Sequence, residues 1–122
     1  MIPRKDFQRI NVQTARELAS RDDVLIIDVR DVKAYKKQHI PEARNVSINN
    51  LAAILDSAPR DMPVLIYCYR GYASQDYARA FSDFRFQEVY SLDGGYDAWH
   101  QSEIEAQDLD AQDLTLKTMA LV

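Results

Sequence analysis

An α/β fold, with a mainly parallel sheet carrying helices on both faces, follows from three features of this chain. Two uncharged runs, Val24-Leu25-Ile26-Ile27 and Val64-Leu65-Ile66-Tyr67, are apolar without interruption, which suits strands buried on both faces, as parallel sheets contain. Strand-like runs alternate with stretches whose apolar residues recur every three or four positions, so helical crossovers return the chain to run in the same direction. At 122 residues the chain is one domain, large enough for a single sheet covered by helices.

Taken in order, Ile10-Asn11-Val12 reads as a short edge strand. Asn11 or Thr14 caps a helix with Ala15, Leu18 and Ala19 inward, ended by the charges around Arg21-Asp22-Asp23. The run Val24–Ile27 leads into Asp28-Val29-Arg30, and Asp31 to Lys37 forms a short helix with Ala34 and Tyr35 inward. Its lysines lie in the last turn, where the helix dipole favours cations. His39 sits in the turn before Ile40-Pro41. Asn45-Val46-Ser47-Ile48 is the next strand, Asn49 or Asn50 opens a helix through Leu51, Ile54 and Leu55, and Pro59 to Pro63 returns the chain to Val64–Tyr67. Ser74 then caps a helix with Tyr77, Ala78, Phe81 and Phe84 inward. Gln87 to Leu92 is the last strand. Asp93-Gly94-Gly95 turns into a helix from Tyr96 through Trp99, the glycines read as turn chemistry before ligand contact and Trp99 as packed under the sheet. The domain is placed at 1–102. The tail, 103–122, begins acidic and ends apolar (Leu114, Leu116, Met119, Leu121, Val122), and either frays or docks on its own domain or on another molecule, self-association included.

Apolar residues make up 47% of the chain and charged residues 28%, as in an ordinary globular protein. A net charge of −4 argues against nucleic acid as a partner, because phosphate contacts need a basic surface. No stretch approaches the roughly 18 apolar residues of a membrane span, and Met1 to Phe7 carries no apolar leader core. The single cysteine makes neither an internal disulfide nor a paired-cysteine metal site, and a reactive thiol lasts best in a reducing compartment. A cytoplasmic location is the expectation.

That cysteine, Cys68, ends the apolar strand and opens the loop Tyr69-Arg70-Gly71-Tyr72-Ala73 before the helix at Ser74. The first turn of a helix presents unpartnered N–H groups and a partial positive charge, which stabilise an anion such as a thiolate. If the loop curls so that its own amides point inward, they form a nest around the sulfur. Gly71 permits the backbone angles for that curl and Arg70 adds positive charge. The thiol is then expected below its ordinary pKa, as a nucleophile at neutral pH. The competing reading is a small buried hydrophobe with no chemistry. Asp28 ends a buried strand and either accepts N–H bonds from the loop that follows or, at the edge of the sheet where ligands gather, touches the active-site loop; with Arg30 it is assigned a supporting role. His39 invites a Cys-His pair, against which stands its place in a tight turn, where histidine usually satisfies local backbone groups.

Three blocks, Ile27-Asp28-Val29-Arg30 with His39-Ile40-Pro41-Glu42-Ala43-Arg44-Asn45, then Cys68-Tyr69-Arg70-Gly71-Tyr72-Ala73-Ser74, then Leu92-Asp93-Gly94-Gly95-Tyr96-Asp97-Ala98-Trp99, resemble the rhodanese family of thiosulfate sulfurtransferases. The likeness is to its small single-domain bacterial members of the glycerol-operon type, and covers about residues 10 to 102. It implies a three-layer sandwich with five strands, and a two-step displacement. The Cys68 thiolate takes the outer sulfur of thiosulfate and sulfite leaves. A thiophilic acceptor, cyanide, a thiol, a dithiol or a protein, then removes the sulfur from the Cys68 persulfide. The amides from Tyr69 to Ser74 hold both anions, Arg70 attracts the donor and Tyr72 shapes the mouth; His39 belongs to a structural motif, and no metal or organic cofactor is called for. The family's commonest loops carry small polar residues where this chain has Tyr72 and Ala73, which bears on donor preference. Cysteine phosphatases and arsenate reductases use a Cys-x5-Arg loop, but the sixth residue after Cys68 is Ser74, so their oxyanion fork is missing. The same fold would also serve a sulfur carrier with a dedicated partner, or a rhodanese-like interaction module without efficient turnover.

Overall fold

A computed structural model of the chain describes the backbone of residues 2–120 and the side chains of residues 2–109. The strands are β1 (Gln8–Ile10), β2 (Leu25–Asp28), β3 (Arg44–Asn45), β4 (Val64–Tyr67) and β5 (Val89–Leu92). The helices are α1 (Val12–Ala19), α2 (Val32–Lys37), α3 (Leu51–Ser57), α4 (Ala73–Asp83) and α5 (Gly95–Ala120). The five strands form one sheet in the order β1-β5-β4-β2-β3, and every pairing is parallel.

Side chains on a strand alternate between faces, and that alternation divides the core in two. Leu25, Ile27, Val64, Ile66 and Val89 pack with Leu55 of α3 and with Ala78 and Phe81 of α4. Ile26, Leu65, Tyr67 and Leu92 pack with Ala15 and Leu18 of α1 and Trp99 of α5. The apolar residues of β2 and β4 are thus needed by both layers. β4 lies at the centre of the sheet, flanked by β2 and β5, so Cys68 emerges at the middle of the C-terminal edge, where open parallel sheets place their ligands.

Several element ends differ from the sequence reading, each because a polar group takes a local partner. The first strand is Gln8–Ile10 rather than Ile10–Val12, since Asn11 already caps α1, its Oδ1 accepting from Thr14 N at 2.9 Å. The third strand stops at Asn45 instead of reaching Ile48. Ser47 N donates to Asn50 Oδ1 at 2.8 Å, the chain turns there, and Ile48 is left 81% exposed. Ser74 does not cap α4, which begins at Ala73 without a side-chain cap.

Phe84 is half exposed rather than inward. α4 closes instead with Arg85 N bonded to Ser82 O and Phe86 N to Phe81 O, and Arg85 in the left-handed region at φ 71°. That reversal swings Phe86 onto Phe81, ring centroids 4.9 Å apart.

The last helix, read from Tyr96 through Trp99, runs from Gly95 to Ala120. The apolar tail residues Leu114, Leu116, Met119, Leu121 and Val122, on which docking or self-association was expected to rest, lie outside the residues whose side chains are described. Among the described residues no helix is long and apolar enough to cross a membrane.

Candidate active site

Cys68 leaves β4 and the chain curls through residues 69–72 into α4. The curl is held from outside by its carbonyls. Tyr96 N donates to Cys68 O at 2.8 Å and Asp97 N to Tyr69 O at 3.2 Å, both from the first turn of α5, while Gln75 Nε2 donates to Gly71 O at 2.8 Å. With three carbonyls engaged on other elements, the loop turns amides toward its interior, and Gly71 N meets Cys68 Sγ at 3.1 Å. Gly71 adopts φ +98° to do so, and a Cβ there would stand 2.9 Å from Gly94 N.

Gly95 carries the tightest approach in the molecule's glycine set. A Cβ on it would lie 2.5 Å from both Cys68 O and Tyr69 C, and 2.6 Å from Arg70 N. The glycine pair read as turn chemistry therefore has a second task, since Gly95 lets α5 press its N-terminal amides onto the loop backbone.

Cys68 itself is 4% exposed. Burial pushes its thiol up, but the Ser74 hydroxyl and the amides of Ser74, Gly71 and Arg70 favour the thiolate, and the net result lies below the ordinary value. Ser74 Oγ is 3.4 Å from Sγ and 2.8 Å from Ser91 Oγ on β5. Alkylation of Cys68 by iodoacetamide should therefore rise with pH to a plateau whose midpoint lies below that of free cysteine; a midpoint at or above the free thiol's would overturn the thiolate reading. Because an acidic group with a depressed folded pKa stabilises the fold above its unfolded pKa, that share of stability is lost as pH falls through the folded pKa.

The structure thus brings Cys68, Gly71 and Ser74 together, and leaves the other loop side chains outside. Tyr69 donates its hydroxyl to Asp31, which holds that carboxylate below its usual range together with the Ala34 amide. Arg70 is 78% exposed and pairs with Asp97 at 3.6 Å. Tyr72 and Ala73 are exposed.

Asp28 and Arg30 form a buried bridge at 2.8 Å beside the loop. The Arg30 guanidinium also donates to Gln38 O at 2.6 Å and lies 4.1 Å from the Tyr96 ring centroid, with Tyr67 and Tyr69 at 5.6 and 5.8 Å. Its place is behind the loop and the start of α5. His39 stacks on Tyr35 at 3.9 Å and shares a hydrogen bond with the Tyr35 carbonyl at 2.7 Å, a local role.

Sequence reasoning missed Ser91 and the second task of Gly95. The signal for Ser91 was a small polar residue on the same face of β5 as Val89, in an otherwise apolar and aromatic strand. Nothing in a single sequence separates a glycine needed for φ from one needed for close approach.

Residues 11–102 match the rhodanese-like domain model. The chain is 39% identical over 93 residues to thiosulfate sulfurtransferase GlpE of Coxiella burnetii, covering 76% of this chain and 87% of that one. A rhodanese-related protein from Thermoplasma volcanium superposes with a TM-score of 0.68 at 21% identity, over 79% of this chain and 93% of that one. A Rhodopseudomonas palustris protein of unknown function, described as a possible tyrosine phosphatase, does so at 0.70 and 23%, over 80% and 82%. The two structures share the fold, and the matched domain together with the sequence identity places the chain in the rhodanese-like domain family.

Proposed function

We propose that this protein is a thiosulfate sulfurtransferase working through a persulfide on Cys68. The observation that carries the reading is the orientation of the loop, whose carbonyls bond outward to α5 and Gln75 while the Gly71 amide and the Ser74 hydroxyl meet the sulfur. The name of the Coxiella relative agrees with it.

In the first step the Cys68 thiolate attacks the outer sulfur of thiosulfate. A bond forms between the two sulfurs, the bond to the sulfonate sulfur breaks, and its electron pair leaves with sulfite. The persulfide keeps one negative charge, held by the same donors. In the second step cyanide, a thiol or a dithiol attacks the outer sulfur of the persulfide and restores the thiolate. Arg70, exposed and only loosely paired with Asp97, draws the dianionic donor toward the mouth. The chemistry calls for a reducing compartment such as the cytoplasm.

Incubation with thiosulfate should add one sulfur atom to the intact mass, prior alkylation of the only cysteine should prevent it, and cyanide should remove it. The low exposure of Cys68 favours a second reading, a rhodanese-like binding module without turnover. An unchanged mass of the unmodified protein selects that reading. Phosphatase action is disfavoured by Ser74 standing where the anion-gripping arginine would be.

A further inference from the structure

Ser91 lies on β5 with its side chain toward α4, and both it and Ser74 are fully buried. Their hydroxyl oxygens are 2.8 Å apart, and Ser74 Oγ is 3.4 Å from Cys68 Sγ. Among the described residues, Ser74 Oγ is the one hydrogen-bond partner of the Ser91 hydroxyl. Each hydroxyl has one proton to give, so the bonds along these three atoms run in one of two directions. Where the thiol S–H donates to Ser74, Ser74 donates to Ser91 and the Ser91 proton is left without an acceptor. With Cys68 as the thiolate, Ser91 donates to Ser74 and Ser74 donates to the sulfur, and every proton is placed.

We propose that Ser91 is a positioning residue for Cys68, acting through Ser74 to hold that hydroxyl proton on the sulfur. A hydroxyl that itself accepts a hydrogen bond is a better donor, because linked bonds polarise one another in a low-dielectric interior. Charged groups on each of the elements around Cys68 pair with one another. Arg70 of the loop pairs with Asp97 of α5, Asp28 of β2 with Arg30, Asp76 of α4 with Arg79, and Asp93 after β5 with Arg9. The neighbouring phenols of Tyr67, Tyr69 and Tyr96 are all held above their ordinary pKa, so they stay neutral while the cysteine titrates. A change at Ser91 leaves all these charges in place.

The inference rests on the reading of Cys68 as an ionised nucleophile, yet its test needs no sulfur donor. The midpoint of the pH dependence of iodoacetamide alkylation is measured for wild type, Ser91→Ala, Ser91→Thr, Ser74→Ala and the double alanine variant. Ser91→Ala should raise the midpoint by about half a unit, a roughly threefold smaller thiolate fraction below it. Ser74→Ala should raise it at least as far, and the double variant no further than Ser74→Ala alone, since Ser91 acts only through Ser74. Ser91→Thr, which keeps the hydroxyl, should titrate as wild type does.

A wild-type midpoint for Ser91→Ala, or a double variant whose shift equals the sum of the singles, overturns the proposal; the cycle of alanines decides the matter even if threonine is not accommodated. Wild type that fails to take sulfur from thiosulfate while Ser91→Ala still shifts the midpoint removes the proposed function and leaves this inference standing.

Discussion

Gly95→Ala is expected to cost about 2–5 kcal/mol of folding stability and to slow sulfur loading of Cys68 by roughly tenfold or more at neutral pH. Two physical terms add. Gly95 sits at φ +57°, a left-handed conformation that costs an L residue about 1–2 kcal/mol. The new methyl group would also overlap the backbone at Cys68 O, Tyr69 C and Arg70 N, at 2.5, 2.5 and 2.6 Å, and backbone cannot swing aside as a flexible side chain does. Either α5 backs away, losing the bonds from Tyr96 N and Asp97 N that hold the Cys68 and Tyr69 carbonyls outward, or the loop itself shifts. In both cases the amides leave the sulfur and its pKa climbs toward the ordinary thiol value. Gly94→Ala separates stability from chemistry. Its Cβ would crowd Ala98 Cβ at 2.7 Å with φ +78°, so it also costs stability, but it meets nothing in the loop. Urea unfolding and the rate of sulfur loading, measured on both variants, should show a stability loss for each and a large rate loss for Gly95→Ala alone. A Gly95→Ala protein that loads at the wild-type rate would mean that the pressing of α5 on the loop has no part in the chemistry.

The apolar runs that became most of β2 and all of β4 were legible because strands buried on both faces are largely apolar, and Asn11, one of two candidate caps, and Asp31, the first residue of the second helical stretch, mark helix starts because capping is a local matter. Ser74 shows where such reasoning stops. Its residue type and its place before a periodic stretch fit an N-cap, yet the helix begins one residue earlier and the hydroxyl points at Cys68. Capping and anion binding ask for the same side chain at nearly the same position, and only the fold, by bringing Ser91 against it, decides between them. Phe84 and Phe86 make the same point for packing. Phe84 fits the apolar stripe of the helix, but the left-handed turn at Arg85 selects Phe86 for the core. The supporting role given to Asp28 and Arg30 was drawn from their position at a strand end, whereas their bond to each other and the aromatic rings around the guanidinium depend on Tyr67, Tyr69 and Tyr96, residues from two other segments.

Asp28→Ala is expected to destabilise the fold by about 3–5 kcal/mol, the usual consequence of stripping a buried ion pair of one partner. The Arg30 side chain is 4% exposed and that of Asp28 not at all, so water cannot replace what is lost. Asp28 accepts from the Arg30 backbone N at 2.9 Å as well as from its guanidinium, and removing it leaves the cation with the Gln38 carbonyl and the face of Tyr96. Neither carries a full negative charge. Arg30 would then be driven outward, and because its guanidinium lies against Tyr96, whose amide holds the Cys68 carbonyl, sulfur loading should fall along with stability. If the cost is the orphaned charge and not the lost carboxylate itself, removing both partners should be milder than removing one. An Asp28→Leu, Arg30→Met double variant should unfold at higher urea than Asp28→Ala, since apolar groups of similar volume often replace a buried pair at little cost. A double variant less stable than Asp28→Ala would show instead that the pair contributes through its geometry at the end of β2, and that the charge balance around Arg30 is secondary.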